Sequence, residues 1–156
     1  KDMSGNDPEF DIIKPTIMGL VAKNNGVPIL RENGFGPFLI PDSLDTVTFY
    51  ISFDPINNPE SFSTNQFVLG YEQDGFVEIN TYTMEILDTP VLDYGLIGLG
   101  VLYTHKVDLD LNSITSNEEH IYIRTRVQDE SNSITEIPTN DAFYNIKEYM
   151  SFIRID

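Results

Sequence analysis

The stretch of sequence that decides the fold is HIYIRTRVQD, residues 120–129. Its residues alternate between two sides of an extended backbone. One side carries Ile121, Ile123, Thr125 and Val127, and the other carries Tyr122, Arg124, Arg126 and Gln128. This period of two, rich in β-branched residues, is typical of a β-strand with one buried face. The polar run DESNS that begins at residue 129 predicts a turn, after which residues 134–137 pair back.

The same alternation recurs along the chain and predicts further strands. The clearest is DTVTFYISF, residues 45–53, whose alternate positions are all apolar. An early strand at residues 15–23 precedes Asn25-Gly26, a pair that favours a type I′ hairpin turn. The return arm contains Pro28, which cannot donate a ladder hydrogen bond, so we expect this arm at a sheet edge. Further strands are predicted at residues 38–40, 66–71, 76–87 and 103–111.

The apolar residues of the segment 76–87 change parity part-way along. They are Val77 and Ile79 before the change, and Tyr82, Met84 and Ile86 after it. A β-bulge near Asn80-Thr81 would re-aim the side chains and keep both apolar sets buried. A strand that crosses from one sheet to the other would have the same effect. Both interpretations remain open at this stage.

The tail, residues 141–156, has two competing patterns. Part of it fits one face of a helix, with Asn140 or Asp141 as an N-cap. The run YMSFIRI at residues 149–155 is dominated by aromatic and β-branched residues, which favour a strand. We therefore expect at most a short turn of helix, followed by a final strand.

Composition indicates one folded domain. The chain has 156 residues, of which 40% are hydrophobic and 12% aromatic, and this is enough for an independent core. No shift in composition marks a linker. We assign residues 12–156 to a single domain, and residues 1–11, which are polar and acidic, to a flexible lead.

The charge and cysteine content exclude several classes of function. Nine basic and 25 acidic residues give a net charge of −16, which repels nucleic-acid phosphates, so nucleic-acid binding is excluded. Solubility is the simpler explanation of this charge; attraction of Ca²⁺ or a basic partner is the functional one. The absence of cysteine excludes a disulfide framework, a cysteine zinc site and a thiol nucleophile. No apolar run reaches the roughly 18 residues of a membrane-spanning helix.

Short strands separated by turn signals predict an all-β protein, a two-sheet antiparallel sandwich. Within residues 102–155, the segments YTHKVDLDLNSI, HIYIRTRVQD and SITEIP resemble the E, F and G strands of immunoglobulin-like and fibronectin type III-like domains. The chain departs from those families in having no Trp and no Cys pair, and its N-terminal half is expected to be elaborated. The lead resembles the tether of a lipoprotein, although an ordinary frayed terminus would look the same. Together these resemblances imply a surface lipoprotein of gut-type bacteria, at the cell surface or outer membrane.

One acidic segment has the oxygen-ligand spacing of a calcium-binding EF-hand loop. Its residues are Asp108, Asp110, Asn112, Ser116 and Glu119. Ser113 stands where that loop requires glycine for its sharp turn, and no flanking helices are predicted. Leu109 and Leu111 fit an amphipathic strand whose acidic side chains face water. We favour this second interpretation.

The histidines and arginines provide further candidates. His105 and His120 are not expected to share a metal ion or a proton, because an immunoglobulin-like arrangement places their strands in different sheets; a surface or partly buried position is expected for each. Arg124 and Arg126 share an outward face with Tyr122. This face is either a stacking and hydrogen-bonding surface for a carboxylate or sugar, or a set of ion pairs with neighbouring acids. We favour the ion pairs.

No catalytic, cofactor-binding or metal-binding residue is predicted. The sequence contains no G-x-S-x-G, no H-E-x-x-H and no P-loop, and the glycine-rich run at residues 95–103 lacks the order of a dinucleotide loop. We expect a non-catalytic extracytoplasmic module for adhesion, glycan binding or domain spacing, with a glycan or another surface protein as its partner. The alternative is a carbohydrate-active enzyme, or its accessory domain, that uses scattered carboxylates.

Overall fold

The computed structural model describes residues 17–53, 64–87, 91–92, 101–128, 134–137 and 147–156. The predicted lead, the turn at residues 129–133 and residues 95–100 of the glycine-rich run lie outside these ranges. The described strands are β1 (Ile17–Asn24), β2 (Val27–Pro28), β3 (Phe38–Pro41), β4 (Thr46–Phe53), β5 (Thr64–Glu72), β6 (Phe76–Thr83), β7 (Glu85–Ile86), β8 (Val91–Leu92), β9 (Val101–Asp110), β10 (Ile121–Gln128), β11 (Ile134–Ile137) and β12 (Ser151–Ile155). Short 3₁₀ helices lie at Glu32–Gly34, Leu111–Ser113 and Lys147–Met150.

The strands form two sheets. The first has the order β2-β1-β4-β9-β7, with β8 also pairing with β9, and the second has the order β3-β12-β10-β5-β6, with β11 also pairing with β10. The β3–β12 pair is parallel, and the other described pairs are antiparallel. The predicted all-β, two-sheet sandwich is confirmed.

In the last third of the chain, successive long strands lie in different sheets. Strand β9 belongs to the first sheet and β10 to the second. Strand β5 pairs with one edge of β10. Strands β11 and β12 share the other edge, where Ile137 lies opposite Thr125 and Phe152 lies opposite Ile121. The described part of the tail is a 3₁₀ helix followed by a strand, as predicted.

Two turn predictions are also confirmed. Asn25 and Gly26 both have positive φ, at 49° and 82°, as a type I′ turn requires. The return arm β2 lies at the edge of the first sheet, where the missing N–H of Pro28 leaves no ladder position empty. The hairpin is therefore specified locally by its turn residues.

The parity change in residues 76–87 arises from both a β-bulge and a crossing between the sheets. Leu69 lies opposite Asn80 and Gly70 lies opposite Glu78, so Ile79 is the extra residue of a bulge beside the predicted position. The chain then crosses from β6 in the second sheet to β7 in the first, with Met84 buried between them. Of the two apolar sets expected to be buried, only Met84 is fully buried, and Val77, Ile79 and Tyr82 are half-buried. The expectation is wrong for Ile86, which is 47% exposed because it lies in a two-residue strand at the edge of the first sheet.

The core lies between the sheets and centres on Phe49 of β4. Val47, Phe49, Ile51 and Phe53 are all buried, as the alternation of this strand predicts. The Phe49 ring contacts Phe38, Phe67 and Phe152, at centroid separations of 5.6, 5.3 and 6.0 Å. Because these three rings belong to β3, β5 and β12, one side chain of the first sheet packs against three strands of the second.

Arg31 fastens the segment between β2 and β3 to the sandwich. Its guanidinium lies 3.8 Å from the ring centroid of Phe38 and 3.7 Å from that of Tyr149. It also donates hydrogen bonds to the carbonyls of Leu20, Gly36 and Tyr149, at 2.7–2.9 Å. Charge-assisted bonds of this kind are stronger than neutral ones, so we assign Arg31 to the framework.

Gly70 provides a test of the packing on the outer side of the second sheet. An added Cβ there would lie 2.4 Å from Cζ of Phe76 and 2.4 Å from the carbonyl oxygen of Val77. We expect Gly70→Ala to lower the free energy of unfolding by about 1–3 kcal/mol, because the ring and the backbone would have to move apart. Urea titration followed by circular dichroism measures this change.

Gly19→Ala is the matched control, because an added Cβ at Gly19 meets nothing within 4 Å. This variant should be at least as stable as the parent protein. An equal loss of stability in both variants would contradict the close contact between Gly70 and Phe76.

Candidate functional site

The outer face of the second sheet gathers cations, carboxylates and rings. It is built on β10, whose inward residues Ile121, Ile123 and Val127 are buried. The same alternation directs the residues between them outward. We call this surface the arginine face; it comprises Glu72, Phe76, Glu78, His120, Tyr122, Arg124, Arg126, Glu136 and Lys147.

Each cation of the arginine face has a carboxylate partner. Nε of Arg124 lies 3.2 Å from Oε2 of Glu136, and Nη1 of Arg126 lies 3.1 Å from Oε1 of Glu78. Lys147 donates a hydrogen bond to Glu72, which raises the lysine pKa. The predicted ion pairs with neighbouring acids are confirmed. Half-exposed pairs of this kind contribute at most about 1 kcal/mol each, so their main effect is to hold the side chains in place and to neutralise the face.

The rings of this face are stacked against cations or against other rings. His120 and Tyr122 are stacked, with centroids 5.9 Å apart and planes inclined by 19°. Nζ of Lys147 lies 5.0 Å from the Tyr122 centroid, and Cζ of Arg124 lies 4.2 Å from the Phe76 centroid. Burial and the charge of Glu148 raise the Tyr122 pKa, although Lys147 opposes this, so the Tyr122 hydroxyl stays neutral. Such contacts restrict side-chain motion before any ligand arrives.

Several buried polar atoms on the same side of this sheet make no hydrogen bond within the described part of the chain. They are Oε1 of Gln66, Oε2 of Glu72 and Nε of Arg126. Gln66 lies directly opposite Arg126 in the β5–β10 register. Three further such atoms, Oη of Tyr82, Nδ1 of His105 and Oγ1 of Thr125, lie elsewhere in the described residues, so these atoms do not mark one surface.

The two histidines lie in different sheets, as predicted, but their environments differ. His120 is partly exposed, whereas His105 is only 5% exposed, so the expected surface or partly buried position is wrong for His105. The reason is parity, because His105 shares the inward side of β9 with Val107. Its Nε2 lies 2.7 Å from Nδ2 of Asn65, and its ring packs edge-on against Phe53. Burial lowers the His105 pKa from 6.5 to about 4.

The residues with EF-hand spacing have other partners. Asp108 and Asp110 lie in β9 and are exposed, so the backbone is a strand and not a loop at these positions. Asp110 accepts from the backbone N–H of Asn112 and caps the 3₁₀ helix, and Asp108 accepts from the hydroxyl of Thr48. Glu119 lies at the far end of the following loop. Among the described residues, no group of three or more His, Cys, Asp or Glu side chains is arranged to hold a metal ion.

A cleft of about 280 Å³ opens at one end of the sandwich. Its lining residues are Leu111, Ile114, Ser116, Asn117, Glu118, Glu119, Ile121, Phe152 and Arg154. Arg154 already donates to the carbonyls of Pro41, Asp42 and Leu44 at 3.0–3.1 Å. The acids among the lining residues, Glu118 and Glu119, are neighbours on one loop. Glycoside hydrolysis needs two carboxylates on opposite sides of the scissile bond, and these lining residues do not supply them.

Comparisons with known proteins provide no relative. No protein-family model, curated protein or solved structure matches this chain. Within the described residues, no helix is both long enough and apolar enough to cross a membrane. The candidate site is therefore argued from the side chains of the arginine face alone.

Part of the arginine face has no signal in the local sequence. Tyr122, Arg124 and Arg126 follow from the alternation of β10. Phe76 and Lys147 reach the same surface from distant parts of the chain, through the sheet order and the 3₁₀ helix before β12. Pairing of β6 with β5 would have to be known in advance to place Phe76 there.

His105 makes the stability of the protein depend on pH. Because its folded pKa of about 4 lies below the ordinary 6.5, protonation favours the unfolded chain. Its contribution is therefore complete above pH 6.5 and is lost as the pH falls toward 4. We expect this loss to reach about 3 kcal/mol, measured as the difference between the parent and His105→Gln in urea titrations across that range.

Thr104→Val, a buried substitution next to His105 that changes no titrating group, is the control and should run parallel to the parent protein at each pH. The comparison with His105→Gln removes the contribution of carboxylates that titrate in the same range. Parallel pH profiles for the parent and His105→Gln would contradict the burial of a neutral His105.

Proposed function

We propose that the protein is a non-catalytic, extracytoplasmic binding module of a bacterial surface lipoprotein, and that the arginine face is its working surface. The observation that carries the proposal is a charge-neutralised face of immobilised rings and guanidinium groups on a chain with a net charge of −16. The order β1-β4-β9-β7 opposite β6-β5-β10-β11 is similar to the A-B-E-D and C′-C-F-G order of immunoglobulin-like sandwiches. Together with the resemblance of residues 102–155 to the E, F and G strands, it supports the same class. Adhesion or glycan capture at the cell surface would be the role of such a module.

Electrostatics favour this face over the rest of the surface. The chain carries nine Lys and Arg residues, and three of them lie on the arginine face. An approaching anionic ligand is repelled least where the protein's own carboxylates are already paired. The face therefore directs the ligand to one place on an otherwise acidic molecule.

Rigidity also favours binding at this face. The arginine side chains stand on a central strand of the sheet, and ring contacts and ion pairs fix their orientation. A surface that is already ordered loses little side-chain entropy when a ligand binds. A module that served only as a spacer would have no use for such an arrangement, and for this reason we favour binding.

The proposal is tested by a binding screen with paired variants. Labelled protein is applied to a glycan array and to a panel of immobilised surface proteins, and every ligand found is checked for hydrolysis. We expect a ligand that is not turned over and that binds Tyr122→Ala about tenfold more weakly, because the stack of His120, Tyr122 and Lys147 is lost.

Tyr50→Ala is the matched control, because Tyr50 lies under Lys23 on the outer face of the first sheet in a similar cation–π contact. This variant should bind as the parent does. Turnover of a saccharide would contradict the non-catalytic role, and equal loss in the two variants would contradict the assignment of the surface.

A further inference from the structure

Among the arginines of the described residues, Arg124 is distinguished by its unused end. Terminal nitrogens of Arg31 and Arg154 donate hydrogen bonds to backbone carbonyls, and Nη1 of Arg126 lies 3.1 Å from Oε1 of Glu78. The guanidinium of Arg124 contacts Glu136 through Nε, and its terminal nitrogens have no partner within the described part of the chain. The side chain is 42% exposed, so this end is accessible from solvent.

The orientation of the Arg124 guanidinium is fixed by two contacts, with Phe76 and with Glu136. Its Cζ lies 4.2 Å from the centroid of Phe76, and the Phe76 ring itself rests on Gly70, where no side chain intervenes. Glu136 holds the Nε side. The side chain is thus positioned before any ligand binds, which is the condition under which a guanidinium fork recognises a planar anion.

The net charge of the protein selects among such anions. A chain at −16 repels phosphates and polysulfated chains more strongly than a group with a single negative charge. A carboxylate carries one charge and matches the guanidinium fork with two parallel hydrogen bonds. The anion that Arg124 fits best is therefore a carboxylate.

The surroundings of Arg124 select the molecule that bears the carboxylate. The exposed large hydrophobic residues of the described chain are Val21, Val27, Leu30, Phe35 and Ile86, and none of them belongs to the arginine face. A fatty acid or an apolar peptide terminus would gain little there. The neighbouring side chains are polar or charged, with the Arg126–Glu78 and Arg124–Glu136 pairs beside the site, and such groups suit hydroxyl groups.

We propose that Arg124 is the carboxylate-binding residue of a site for acidic saccharides of the hexuronic-acid type on the arginine face. This inference rests on the proposed binding function and names its ligand class. The carboxylate lies in the fork of Arg124, and the sugar hydroxyls hydrogen-bond to polar side chains along β5 and β10.

The test is calorimetric titration of the full chain with a galactose oligomer that ends in one galacturonic acid residue and with the matched neutral galactose oligomer. We expect binding of the acidic oligomer that is weaker by about 10- to 100-fold in Arg124→Lys, which keeps the charge but loses the fork. Glu136→Gln should bind the acidic oligomer more tightly than the parent, because it removes a like charge beside the bound carboxylate while its amide oxygen can still accept from Nε of Arg124. Lys23→Gln, on the outer face of the first sheet, should bind as the parent does.

The outcomes separate this inference from the function on which it rests. The assignment of an acidic saccharide would be overturned by equal affinity for the neutral oligomer, by unchanged affinity in Arg124→Lys, or by no binding of the acidic oligomer. If another ligand then bound in a manner that depends on Tyr122, the proposed function would stand without this ligand. Matching unfolding midpoints of parent and Arg124→Lys establish that any loss arises at the site, and the opposite effect expected of Glu136→Gln is a second readout.

Discussion

The contact of Phe49 with three rings of the opposite sheet is the constraint on which the rest of the structure depends. It joins β4 to β3, β5 and β12, strands that come from the beginning, middle and end of the chain. Burial of one such ring contributes about 1.5–3 kcal/mol from area alone, and the ring geometry adds to this. Once these rings are in contact, the two sheets face each other and the chain has a closed interior.

The closed interior also determines where the binding chemistry lies. On β10, the residues that enter the core alternate with those that form the arginine face, so one strand serves both purposes. A slip of one residue in its pairing would expose Ile121 and Ile123 and bury Arg124. Burying the Arg124 charge would be costly, and so would exposing the two isoleucines. The core and the arginine face therefore favour the same register.

The local sequence pattern was sufficient to predict those elements whose structure depends only on neighbouring residues. The alternation of β4 and β10, the turn at Asn25-Gly26 and the bulge beside Asn80 all follow from residues next to one another in sequence. Burial of His105 also followed the parity of its strand, although a histidine is more often placed at the surface. Its neighbour Asn65 comes from the other sheet and pairs with Nε2, whereas Nδ1 is buried without a partner among the described residues.

Features that depend on distant pairing were not accessible from the sequence. Ile86 has the parity of a buried residue, but the crossing between sheets leaves it in a short edge strand. The role of Arg31 depends on Tyr149, which lies more than a hundred residues away and has no counterpart in the local pattern. The same holds for Phe76 and Lys147, which complete the arginine face from other strands.

The most direct measurement is a nuclear Overhauser experiment on protein with labelled phenylalanine rings. The structure predicts contacts from the Phe49 ring to the rings of Phe38, Phe67 and Phe152, whose centroids lie within 6.0 Å. It also predicts backbone contacts between β4 and β9 and between β5 and β10. Absence of the Phe49 contacts, together with direct backbone contacts between β9 and β10, would show a simple hairpin and contradict the two-sheet arrangement.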